Sequence, residues 1–344
     1  MSTLESILAN TALPPHPFVV VQDSLSAPAW PLVRELLRRG ASRGPSLLVT
    51  ARNSPESYLP DWKSGGGRAV DLTNTVPGFS SETVDVEAKV KQACACQAPR
   101  KVKLTTPGDA LPSSFQAFVD AADILSEDYS PAIAARVVRT LLNAVKERKA
   151  PSRLILVLPA SHELTEDLIS ATFSPALALL TPVNPRVVEH ISRAYLAPAD
   201  DSPRFWQLLE TARARKVGDD VALRAKDGVE VGAADEQVVQ VLLRKPTGGA
   251  KALIRAIDGF RKATTGGWES APLDTVVDTQ PVLAPTEAKR PTTHADLHLP
   301  FNLQLTDAQK EARGAVPLPY AHEGEGADLG MGMDWSDDEE DEEI

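Results

Sequence analysis

The sequence predicts an α/β fold built on a mostly parallel sheet flanked by helices. Three observations carry this. Six short, continuously apolar runs recur between residues 18 and 181, and segments with a helical period lie between several of them. After residue 236 the pattern changes to two extended runs joined by a Pro/Gly turn, an antiparallel hairpin near the end of the domain. Apolar runs without polar alternation suit strands covered on both faces, as in a parallel sheet between helix layers.

In chain order the strand candidates are FVVV (18–21), SLLVTA (46–51), AVDL (69–72), FQAFVD (115–120), LILVLP (154–159) and ALALLT (176–181). The helix PLVRELLRRG (31–40) has Pro31 at its first position, Gly40 at its C-terminal cap, and Val33, Leu36 and Leu37 as its buried stripe. In SPAIAARVVRTLLNAVKERK (130–149), Ile133, Val137, Val138, Leu141, Leu142 and Val145 recur at helical spacing behind a Ser130–Pro131 start. RVVEHISRAYL (186–196) follows the same template. Alternation of this kind calls for right-handed βαβ crossovers. The segment 237–257 reads as the hairpin, turning at KPTGG.

Residues 15–260 are therefore expected to form one domain, long enough to bury roughly 70–75% of its unfolded surface. Residues 261–295 read as a Pro/Thr-rich linker, 296–320 as a separate apolar segment, and 321–344 as an acidic tail expected to be disordered. Eight acids and no base lie in the last eleven residues, so the formal charge of −11 leaves −3 for the other 333. A nearly neutral body does not by its sign argue for nucleic-acid binding. Cys94 and Cys96 are the only cysteines, and with no signal-peptide or membrane-span pattern the expectation is a reduced, soluble, intracellular chain.

The chemistry expected of a nucleotide-binding α/β sheet is missing. The first strand runs into QDSLSAPAWPLVRELL, which has no glycine before Gly40 and no lysine, whereas a phosphate cradle needs converging backbone amides and a lysine. Asp23 would repel phosphate there. Asp120, ending the fourth strand, stands where an NTPase holds its magnesium carboxylate, but without the loop it is expected either to accept backbone amides or to face water. His294 and His298 are four apart, yet the approach to Pro300 favours an extended chain over a shared helix face. His162 follows a strand without a nucleophile elbow beside it. No catalytic, cofactor or metal constellation is expected. Modest basic patches at Arg100, Lys101 and Lys103, at Arg213, Arg215 and Lys216, and at the hairpin residues Arg244, Lys245 and Lys251 are either candidates for phosphate contact or ordinary solvated surface.

The most specific stretch is DLHLPFNLQLTDAQKEARGAVPLPY (296–320). Phe301, Leu303 and Leu305 alternate with Asn302 and Gln304, the period of a strand with one buried face. Thr306 and Gln309 form a capping box for a short helix, and Val316, Leu318, Pro319 and Tyr320 make an apolar strip. This pattern fits a docking segment, either onto its own domain or onto a partner.

PFNLQLTDAQKEARGAVPLPY followed by an acidic run resembles the C-terminal signature of Elongator complex subunit five. VVVQDS, FVDAAD and LLRKPTGGAKALIRA agree more loosely across the body. The resemblance implies a RecA-like fold without nucleotide motifs. It also implies a heterohexameric ring with two copies each of this chain and of subunits four and six. That ring would work beside the catalytic Elongator subcomplex in tRNA wobble-uridine modification, bind tRNA through the basic patches above, and act in cytoplasm and nucleus. The ending DWSDDEEDEEI departs from the Pro/Leu-interspersed tails of that family. Two further classes stand beside this expectation: a RecA-like NTPase or hydrolase with an atypical site at Asp120 or His162, and a chaperone of basic proteins acting through the acidic tail.

Overall fold

The computed structural model describes residues 2–11, 16–64, 66–80, 84–96, 114–148, 150–217, 235–246, 252–264 and 266–277. They lie in a compact unit spanning Met1–Val282. In chain order the elements are α1 (Thr3–Leu8), β1 (Phe18–Asp23), α2 (Trp30–Ala41), β2 (Ser46–Thr50), α3 (Pro55–Tyr58), β3 (Arg68–Asp71), α4 (Val86–Cys96), β4 (Gln116–Val119), α5 (Ala122–Asp128) and α6 (Pro131–Lys146). There follow β5 (Arg153–Pro159), α7 (Leu164–Ile169), β6 (Leu177–Val183), α8 (Pro185–Tyr195), α9 (Pro203–Ala214), β7 (Glu236–Arg244), β8 (Leu253–Lys262) and β9 (Trp268–Ala271). Among the described residues no helix is long and apolar enough to cross a membrane.

Nine strands make one sheet in the order β3-β2-β4-β5-β1-β6-β7-β8-β9. The six predicted apolar runs supply its parallel part, β1 to β6, and β7 to β9 continue it antiparallel. Because successive side chains of a strand point to opposite faces, each apolar run feeds two cores. Phe18, Val20, Leu154 and Leu156 pack beneath α4, α6 and α7, while Val19, Val21, Ile155 and Val157 pack beneath α1 and α2. A third core joins α8 and α9 to Val238 and Ile257 of the hairpin.

The path from β1 to β2 crosses on the α2 face, and the paths from β3 through β4 and β5 to β6 cross on the other, in the opposite direction along the sheet. Opposite directions on opposite faces are what a single crossover hand requires. Paths leaving the neighbours β1 and β5 therefore diverge, and the sheet has its topological reversal where Asp23 pairs with Pro159.

Two arginine clusters tie the helices on. Arg153, fully buried, donates to Ile7 O (2.9 Å), Leu36 O (2.6 Å) and Gln116 Oε1 (3.2 Å), joining two helices to the amino ends of β4 and β5. Gly40 leaves room beside it: a Cβ there would fall 1.7 Å from Gln116 Oε1, so the Gln116 amide would have to shift. Glu35, 2% exposed, accepts from Arg38 and Arg39, and Arg39 also bonds Glu5 and Trp268 O.

Residues 261–277, expected to be linker, belong instead to the fold. β8 runs to Lys262, Gly266 and Gly267 take positive φ in the turn, and Trp268 opens β9, its ring stacked 4.9 Å from Phe260. Packing of one half-buried tryptophan against Phe260 outweighs the Gly/Thr composition that suggested a linker. Likewise, α1 extends the fold before residue 15: Leu4 N donates to Asp258 at 2.7 Å, and Leu4, Ile7 and Leu8 are buried. The predicted segment 296–320 and the acidic tail lie outside the described residues.

Candidate functional site

Open α/β sheets bind ligands at the carboxyl ends of their strands, where the strand order reverses. Here that place is the turn between β1 and α2, residues 24–29, and it is closed by the chain's own side chains. Asp23 Oδ1 accepts the Ala29 amide at 2.8 Å, at the start of α2. Ser24 Oγ accepts the Ala27 amide at 3.2 Å and lies 3.3 Å from Ala27 O, to which it donates. Pro28 and Pro31 have no amide hydrogen to offer. From the neighbouring strands, Asn184 Nδ2 donates to Ser26 O (3.2 Å) and Gln237 Nε2 to Pro28 O (2.9 Å). Converging free amides, the physical basis of a phosphate cradle, are thus replaced by amides already paired with Asp23 and Ser24.

Arg52, two residues beyond β2, spans the crevice. Its Nη1 lies 3.0 Å from Asp23 Oδ2 and its Nη2 3.0 Å from Asp123 Oδ2. Burial alone would lower the guanidinium's pKa, but Asp123 and Asp23 outweigh it and raise it. A fixed cation therefore sits between the Asp23 carboxylate at the end of β1 and the Asp123 carboxylate in the first turn of α5. Asp123 Oδ1 is buried without a hydrogen-bond partner.

Asp120 takes the first of the two roles expected of it. Its carboxylate accepts the amides of Ala51 (2.7 Å), Arg52 (2.9 Å) and Asn53 (3.1 Å), and the Tyr58 hydroxyl at 3.2 Å. Burial pushes its carboxyl up, and these donors offset that only in part. Burial, with Asp120 second, likewise raises the Tyr58 phenol. The arrangement holds the β2–α3 loop in the position from which Arg52 reaches across. His162, the other candidate, accepts the Leu164 amide on Nδ1 at 3.2 Å and opens α7. Among the described residues no group of three or more His, Cys, Asp or Glu side chains is placed to hold a metal ion.

Of the predicted phosphate contacts, Arg215 and Lys216 are exposed at the end of α9. Arg213 turns inward, donating to Gln240 Oε1 and to Glu210 (3.2 Å), in a network that Gln240 closes through Glu210 (2.9 Å). Arg100, Lys101 and Lys103, and the docking residues Phe301, Leu303, Leu305, Val316, Leu318 and Tyr320, lie outside the described residues. Sequence reasoning named Asp23 and Asp120 but missed Arg52, Tyr58, Asp123 and Gln237. The one signal available was an arginine directly after an apolar strand run, SLLVTAR.

Neither a scan against models of known protein families nor a search of curated proteins finds a match for this chain.

Proposed function

We propose that this chain is a non-catalytic, RecA-like scaffold subunit of an Elongator-type complex. In this reading it forms a heterohexameric ring with subunits four and six, without a nucleotide cofactor. The ring supports tRNA wobble-uridine modification by the catalytic subcomplex in cytoplasm and nucleus. One observation carries the reading beyond the sequence resemblance: the turn where an α/β sheet would seat phosphates is filled by Asp23, Ser24 and Arg52 of the chain itself. A carboxylate bonded to the Ala29 amide, just before α2, opposes the anion affinity that a helix start provides. Arg215 and Lys216, both exposed, are the described candidates for tRNA contact.

Co-expression of the full chain with subunits four and six tests the reading. The expected product is one particle with two copies of each subunit, and the double change Phe301→Asp, Leu303→Asp is expected to lower its yield. A stable lone monomer that ignores both subunits overturns the proposal. Titration calorimetry with ATP and magnesium provides the second arm, since micromolar binding by the isolated chain favours an NTPase instead.

A further inference from the structure

We propose that a cavity at the amino ends of β4 and β5 binds one small monovalent anion of the halide class, held between the guanidinium groups of Arg43 and Arg153. The site stands apart from the scaffold reading and does not depend on it.

Size limits the ligand. The cavity has a volume of about 10 Å³. That is room for one particle of about the size of a water molecule, too little for a phosphate or an organic acid. Arg153, the first residue of β5, is 2% exposed. Arg43 is the exposed member of the lining, so its side chain can make the small allowance that a halide needs beyond a water.

Charge selects an anion. Among the described residues the lining contains two charged side chains, Arg43 and Arg153, and no carboxylate. Arg153 makes three hydrogen bonds, and all three acceptors are neutral: Ile7 O, Leu36 O and Gln116 Oε1. Backbone carbonyls of a helix supply partial charge only. The carboxylates of the adjoining helices, Glu5 and Glu35, are already paired with Arg38 and Arg39. Four guanidinium groups therefore face two carboxylates in this cluster, and the two without an acidic partner are the pair that line the cavity.

Burial, reinforced by Arg43 and Arg39, pushes the Arg153 guanidinium down to about 9, so it remains charged at neutral pH. A buried cation without a counter-charge is costly, and a water molecule cannot neutralise one. A monatomic anion can, and it accepts N–H groups from both arginines at charge-assisted strength. Two of the five Arg153 N–H groups have no acceptor among the described residues and are available to it. The segment after α1 closes the site, because Asn10 Nδ2 donates to Pro151 O and Arg43 Nη1 to Ala9 O.

The test follows thermal unfolding of the full chain while sodium chloride replaces sodium gluconate at constant ionic strength. A saturating rise is expected, about 3 °C once chloride exceeds its Kd tenfold. Sodium bromide is expected to reproduce the rise and sodium sulfate, whose anion is too large, to leave it out. Arg43→Gln keeps the buried arginine and is expected to weaken halide binding about tenfold, the loss of one charged partner. Arg153→Met is expected to abolish the response, and where that variant fails to fold, Arg43→Gln decides. In crystals soaked in bromide, an anomalous difference peak is expected between Arg43 and Arg153. No halide-dependent rise in the wild type overturns the site. A rise of the same size with sulfate, or an undiminished one in Arg43→Gln, reveals a general salt effect and overturns it equally.

Discussion

Arg52 Nη1 and Asp23 Oδ2 stand 3.0 Å apart across the reversal of the sheet, and the contact joins the end of β1 to the loop after β2. With Asp123 on its other side, Arg52 places positive charge where a nucleotide site would present donors to phosphate. The electrostatic need of two carboxylates is met by one side chain of the same molecule.

Arg52→Ala removes both ion pairs. The side chain is 37% exposed, so screening moderates the loss, and about 1–2 kcal/mol is expected in urea unfolding. The variant is still expected to bind no ATP by calorimetry, because Asp23 and Ser24 keep the turn amides. Tight ATP binding in this variant would identify Arg52 as a plug in an otherwise competent site.

Asp120→Ala leaves the amides of Ala51, Arg52 and Asn53 without their acceptor. Buried donors stripped of partners cost more than an average hydrogen bond, so a loss of about 3–5 kcal/mol is expected. Tyr58→Phe removes one donor and is expected to cost about 1 kcal/mol. Equal, small losses for the two would disprove the anchoring role. Chemical denaturation with both variants measures the difference.

Glu35 makes stability depend on pH. Burial pushes its carboxyl up, but hydrogen bonds from Arg38 and Arg39 outweigh burial and hold it below its ordinary value. A folded value below the unfolded one stabilises above the ordinary carboxylate range, and that stabilisation disappears as pH falls through the folded value. Melting temperature is therefore expected to drop on acidification below about pH 4.5. Glu35→Gln is expected to cost about 2–3 kcal/mol at neutral pH and to show a flatter acid limb. Thermal melts from pH 3 to 7 compare the two proteins.

Gly40→Ala sets helix propensity against packing. Alanine favours the helix by about 1 kcal/mol, but its Cβ would overlap the buried Gln116 amide that also holds Arg153. A net loss of about 1–3 kcal/mol is expected, shrinking in a Gln116→Ala background. A stabilised Gly40→Ala would mean that Gln116 moves freely.

Much of the parallel sheet was legible because its strands are buried on both faces and so read as unbroken apolar runs. Phe18 to Val21 feed two cores with no polar residue between them. The edges were not legible. In β9, Trp-Glu-Ser-Ala has no clear period, and its place depends on Trp268 meeting Phe260 and on Arg39 reaching Trp268 O. In α1, six residues are too few to display a period. The site divides in the same way. The missing phosphate loop is a local property and was visible, but the Arg52–Asp123 pair joins residues 71 apart and leaves no local mark. Arg213 looked like part of an ordinary basic run, because burial of its guanidinium depends on Glu210 and Gln240 folding over it.

The bond from Leu4 to Asp258 spans 254 residues, which places a clock on the fold. At a synthesis rate of about 5–20 residues per second, the first helix emerges from the ribosome some 13–50 s before the strand that receives it. β1 waits in the same way for β5 and β6, both made long after it. A nascent chain halted before residue 253 therefore holds its first helix through α2 and Arg153, without the carboxylate that fixes Leu4.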